Sequence, residues 1–158
     1  MKVGGLLKKT GLLVLLCIST LSPVQAREDI GSQLPPEVRV LLIQEMIAIL
    51  GATQTIIDAM VRGEDQVVAE EAQRIHDSFI LAQELTEEQH DALVEAASEE
   101  FLNKDAAFHE MSASLARAAL ASNKAEQQKI FSQMLGACVA CHTEHAAQRF
   151  PKLHTDGF

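Results

Sequence analysis

Asn123 to His145 reads NKAEQQKIFSQMLGACVACHTEH. Asn123, with Glu126 three residues later, is a helix-start signal, and Phe131, Met134, Leu135 and Cys138 then recur at helical spacing. Phe150-Pro151 closes the segment, because the residue before a proline is pushed away from helical backbone. Inside this helix Cys138 and Cys141 are one turn apart, and His142 follows four residues after Cys138 on the same side. One helix face near the end of the chain therefore presents two thiols and an imidazole.

Cys138-Val139-Ala140-Cys141-His142 is a Cys-x-x-Cys-His motif. Two thiols so placed add across the vinyl groups of a haem while the adjoining imidazole reaches the iron. That reading makes Cys138 and Cys141 the covalent attachment points of one haem c per chain and His142 an axial iron ligand. A thioredoxin-like redox pair wants a strand before the motif, and a zinc site wants further ligands. The sequence offers neither context. With no Trp or Tyr and only 6 Phe, the core is short of large apolar side chains, and a buried porphyrin supplies what they do not.

Working outward, the first 26 residues read as a secretory signal. Lys2, Lys8 and Lys9 form its positive end, Gly11 to Ile18 its short apolar run, and Val24-Gln25-Ala26 its cleavage site. The run is too short to span a bilayer, and Cys17 leaves with the leader. The mature domain is then 27–158 and the expected location periplasmic. Removing three lysines and no acid takes the formal charge from −9 to −12. Such a surface repels nucleic acid and anionic lipid and steers toward a basic partner. Once the leader is gone, no membrane association is expected.

The 158 residues, 47% hydrophobic, describe one domain. After Pro35-Pro36, helix A is predicted over 37–61, with Leu42, Met46, Ile49, Thr53, Ile56 and Met60 spaced alternately by four and three. Gly63 stops it. Helix B is predicted over 65–83, through Val68, Ala72, Ile75, Phe79 and Ala82. Thr86 with Gln89 forms a capping box that starts helix C, running to about 121 with Leu93, Ala97, Phe101, Phe108, Leu115 and Ala119 along one face. No run alternates at period two. Four amphipathic helices with short links favour an all-α, antiparallel up-down-up-down four-helix bundle with the haem motif on the last helix, with a three-helix arrangement as the alternative if helix B is broken or short.

A haem motif near the C-terminus of such a chain resembles the class II cytochromes c, the cytochrome c-prime group, over most of the mature region. Gln44-Glu45-Met46 followed by Gly51, and the stop Met60-Val61-Arg62-Gly63, fit the same order. Three and four positions after the haem His, where the family has an aromatic and then a basic residue, this chain has His145 and Ala146, with Arg149 displaced; four before Met46 it has Leu42 for Arg. The resemblance implies a homodimer, and it places Met46 on the distal side of the haem. There Met46 is either the sixth iron ligand, giving a His/Met pair suited to electron transfer, or a packing residue beside an open site.

Of the other histidines, His109 stands out because Asp105 lies four residues earlier, between Phe101 and Phe108 on the apolar side of helix C. Either they form a buried pair near the haem or they face solvent as an ordinary i, i+4 pair. His145, one turn from His142, is expected at the surface, with a place at the haem edge as the alternative, and His76, His90 and His154 are expected in solvent. The first functional reading is a one-haem electron carrier, not an enzyme, serving a redox partner protein. The second is a five-coordinate haem protein that binds NO or CO. A third, peroxidase-like chemistry, has no distal acid–base pair unless Asp105 and His109 supply it.

Overall fold

The computed structural model describes residues 29–78 and 85–154, so the leader 1–26 and the predicted helical positions 79–83 lie outside the described residues. Every regular element there is helical. They run α1 (Ile30–Gln33), α2 (Pro36–Arg62), α3 (Asp65–Asp77), α4 (Glu87–Ala96), α5 (Glu99–Leu120), α6 (Lys124–His145) and a closing 3-10 turn (Pro151–His154). A single antiparallel bridge from Asp29 to Ala146 ties the start of the described chain to the end of α6.

The punctuation read from the sequence is the punctuation used. Pro36 occupies the first position of α2, where its missing N–H costs nothing. Gly63 ends α2 at φ 79°, with its N–H on Met60 O at 3.3 Å and the N–H of Glu64 on Ala59 O at 2.9 Å. This left-handed close uses the carbonyls that a helix end leaves over. Thr86 and Gln89 complete the capping box of α4, and Asn123 accepts from the N–H of Glu126 to start α6.

Helix C is where the expectation needs correction. The apolar stripe runs on as predicted, but Ala97 is extended and Ser98 accepts from the N–H of Phe101, so the segment is two helices, α4 and α5. Ser98 is followed by Glu99 and Glu100, an N-cap with acids in its first turn, and a new start outweighs the continuity of the stripe. Leu93, Ala97, Phe101, Leu115 and Ala119 are buried as expected. On α6 Phe131 and Met134 are buried, whereas Leu135 is exposed.

One apolar cluster is drawn from α2 (Ile49, Ala52, Ile56), α3 (Val68, Ala72, Ile75), α5 (Leu115, Ala116, Ala119) and α6 (Ile130, Phe131, Met134). A second gathers Ile30, Leu34, Val38, Leu42, Leu93 and Phe101. Small residues let α3 and α5 approach closely. Ser112 Oγ donates to Ala72 O at 2.5 Å, and His109 Nδ1 donates to Ile75 O at 2.7 Å. Contacts thus descend α5 as they ascend α3. Lys124 Nζ and Gln127 Nε2 both donate to Asp65 Oδ1, which fixes the start of α6 on the start of α3 and holds that carboxylate below its usual range.

Candidate functional site

Cys138, Cys141 and His142 lie in the last two turns of α6, an unbroken helix from Lys124. No strand precedes the motif, so the setting that a thioredoxin-like pair needs is absent among the described residues. Both cysteines are free thiols and half-buried. Burial raises both, and pushes Cys141 up to about 11, with the nearby Asp105 carboxylate adding to the effect. Thiols held this high stay protonated at neutral pH and resist oxidation. Burial lowers His142, which keeps its imidazole neutral, the form a metal binds. The His142 ring stacks on Phe150, centroids 4.3 Å apart and planes 11° from parallel, so the segment after α6 folds back over it.

A helix face must offer apolar surface as well as anchoring atoms if it is to hold a porphyrin. Leu135 and Val139 flank the motif on α6 and stand about half exposed, and Phe150 is also open to solvent. Two free thiols, a neutral imidazole and an uncovered apolar strip therefore share one helix face. These residues fit a covalently held haem. Two open acidic recesses, at Ser98, Glu99 and Lys104 and at Thr86, Glu87 and Asp91, lie elsewhere and touch none of the three.

The first turns of α5 lie alongside the last turns of α6. The Phe101 ring meets His145 edge-on at 5.6 Å, the Lys104 ammonium pairs with Glu144, and Asp105 acts on Cys141. His145 is therefore fully buried and not at the surface as expected, because the α5 contact covers it. Among the described residues, Glu100, Glu144 and His145 have ligand atoms within 4.8 Å of one another. Lys104 already bridges both of those carboxylates, so charge there is balanced without an ion.

Asp105 and His109 are both buried, which settles their placement against the solvent-facing alternative. His109 Nε2 is 3.8 Å from Asp105 Oδ1, an ion-pair approach longer than a hydrogen bond. His109 Nε2 is closer, at 3.5 Å, to Glu45 Oε1 of α2. Burial lifts the Asp105 carboxyl to about 6 and lowers His109. His76 is half-buried, contrary to expectation, because its Nδ1 donates to His109 O at 3.2 Å; His90 is exposed as expected. The side chain of His154 lies outside the described residues.

Glu45 was missed as a site residue. Its signal was present, since it sits three after Leu42 and four before Ile49, inside the apolar stripe. Met46, the next residue, is half-buried and packs against both apolar clusters. The chain of neighbours Glu45, His109, Asp105 and Cys141 brings this part of α2 to the level of the motif. Comparison of the chain with protein-family models, with curated proteins and with solved structures returns no match.

Proposed function

We propose that this chain is an exported mono-haem c-type cytochrome of the class II kind, an up-down-up-down four-helix bundle that carries single electrons to or from a redox partner protein. The observation that carries the reading is the α6 face on which two half-buried free thiols, the neutral imidazole of His142 and the uncovered Leu135 and Val139 lie together. When bound there, haem supplies a one-electron iron couple. Cys138 and Cys141 would hold it through thioethers and His142 would bind the iron. Phe150, stacked on the His142 ring, fixes the imidazole plane. The leader directs the chain to the periplasm, where free acidic surface favours a partner with a basic face.

The test is attachment. Protein purified from the periplasm of a host with haem-attachment machinery should keep its pigment through denaturation. Cys138→Ala with Cys141→Ala should lose it. A wild-type chain that releases its pigment on denaturation, or never acquires one, refutes the reading.

A second reading is a five-coordinate protein that binds NO or CO. Met46 favours it by packing into both apolar clusters, which satisfies its side chain without a metal. Spectra of the reduced protein with and without CO separate the two. A low-spin spectrum unmoved by CO, and converted to a CO-responsive one by Met46→Ala, establishes ligation; a high-spin spectrum that shifts at once with CO establishes the open site.

A further inference from the structure

Three ionisable side chains that the attachment chemistry does not use converge in the interior beside the motif. His109 is 2% exposed, Glu45 3% and Asp105 8%. They come from two helices, Glu45 from α2 and the other two from α5. His109 Nδ1 carries its proton toward Ile75 O at 2.7 Å, which fixes the tautomer. Its Nε2 then faces Glu45 Oε1 at 3.5 Å and Asp105 Oδ1 at 3.8 Å.

That arrangement has a consequence in protons. If Nε2 bears no hydrogen, its lone pair faces two carboxyl groups, and at least one of those must be protonated for the approach to be favourable. If Nε2 is protonated, the imidazolium sits between two carboxylates. In either case the approach calls for a proton at His109 or Asp105, and the site is buried so deeply that each unit of charge there is costly. Asp105 Oδ2, moreover, is buried with no hydrogen-bond partner among the described residues. A second proton can be taken up there without breaking an existing bond.

The register of α5 on α6 sets this site against the motif. Phe101 meets His145, Lys104 meets Glu144, and Asp105 stands level with Cys141, whose thiol feels its charge. The charged and titratable groups around Asp105 and His109 are Glu45 on α2, His76 on α3, Lys104 on α5 and Cys141 on α6. Lys104 is already engaged by Glu100 and Glu144 and so does not neutralise Asp105. A haem held on α6 would place a one-electron couple beside this interior, where Lys104 is already engaged by two carboxylates. A proton is the counter-charge available.

We infer that Asp105 and His109 take up one proton when the haem is reduced, so that the chain transfers a hydrogen equivalent, an electron at the iron and a proton at this buried cluster. The inference rests on the haem reading proposed above. The balance is one electron from a one-electron donor protein and one proton from solvent. The haem, when bound, would supply the one-electron couple, and one O–H or N–H bond forms at Asp105 or His109. No group leaves, and reoxidation returns the proton. Burial of the cluster supports this at Asp105, whose carboxyl it raises to about 6, while it lowers His109 and so favours the neutral ring.

The holoprotein is tested in two ways: its midpoint potential is followed by optical redox titration from pH 5 to pH 8, and proton uptake on reduction is read with an indicator dye in weak buffer near pH 6. Wild type should show a potential that falls across the range and should take up protons. Asp105→Asn and His109→Gln should each lose most of both, while retaining covalent pigment and helical content. Two variants are used so that failure of one to fold leaves the other. Covalent pigment with a pH-independent potential and no uptake overturns the inference and leaves the haem reading intact. A slope unchanged in both variants also overturns it, assigning the proton to the porphyrin's own carboxylates. Absence of pigment in wild type instead fails the earlier reading.

Discussion

Asp105 is a carboxyl placed where a carboxylate is unwelcome. Burial lifts it to about 6 from an ordinary 3.8, so between those values the folded chain holds a proton that the unfolded chain has lost. A group raised in the folded state stabilises below its unfolded value, and that contribution is lost as pH rises through the folded one. Above pH 6 ionised Asp105 therefore costs the fold on the order of 3 kcal/mol. His109, lowered by burial, works in the opposite direction, and stability drawn from its neutral ring is lost as pH falls below the ordinary histidine value of 6.5. Asp105→Asn removes the first cost while keeping shape. Its urea midpoint, followed by far-UV circular dichroism, should exceed wild type at pH 7.5 and approach it at pH 4. Equal midpoints at both pH values would show that the carboxyl is not strained. The sequence made Asp105 and His109 legible as a pair because i, i+4 spacing on an apolar face is visible in one dimension. It hid Glu45, since the third member comes from a helix sixty residues earlier, and only packing brings it in.

At the scale of elements, local chemistry was legible at most capped boundaries; helix B stops at Asp77, short of its expected end, and the boundary misjudged inside helix C shows why capping alone is not enough. Pro36, Gly63, Thr86 with Gln89 and Asn123 with Glu126 all sit where the helices begin or end. Ser98 carries the same signal, yet the apolar spacing from Leu93 to Phe101 reads as continuous helix, because Ala97 stays buried while its backbone turns extended. Periodicity records which face is buried and not whether the helix axis continues. Two residues in the left-handed region give a paired test. Gly63 holds φ 79° without a Cβ, and Ser122, between α5 and α6, holds φ 52° with one. The penalty for a side chain in that region is about 1 kcal/mol. Gly63→Ala should lower stability by roughly that amount, and Ser122→Gly should raise it by less than that, since it gives up the Ser122 hydroxyl's hydrogen bond to Asp65 and adds entropy to the unfolded chain. Denaturation midpoints read both, and a destabilised Ser122→Gly would mean that the turn is held by its side chain.

For the whole molecule, the residue and element scales leave one surface without a role. Helix α2 has two apolar stripes, and only one faces the core. The other runs Val40, Ile43, Ile47, Leu50, Gln54, Ile57 and Val61, spaced three, four, three, four, three and four, with Ile47 65% and Val61 84% exposed. A strict 3.5-residue repeat is the pattern of a seam that packs along a second helix, and one polar residue within it, here Gln54, sets register. No charged side chain is exposed on α2 between Val40 and Ile57, in a chain whose formal charge is −9. Like-charged copies can approach along that line without bringing exposed charges together. Six half-exposed aliphatic side chains give roughly 500 Å² of apolar surface per copy, and Gln44, Ala48, Gly51 and Thr55 beside them bring a paired helix near the ~800 Å² per partner of a standard interface. The prediction is that a second copy covers this stripe, α2 against α2. By length and composition α2 could also cross a membrane, with mean hydropathy 1.7, but its inner stripe is locked in the core and includes buried Glu45. Sedimentation equilibrium of the mature holoprotein at ~10 μM should give twice the chain mass, and Ile47→Glu with Leu50→Glu should halve it without loss of helix, because two new acids on each copy would face two on the other. A monomeric wild type overturns the dimer, and a wild type that partitions onto neutral lipid vesicles while remaining monomeric assigns the stripe to a membrane surface instead.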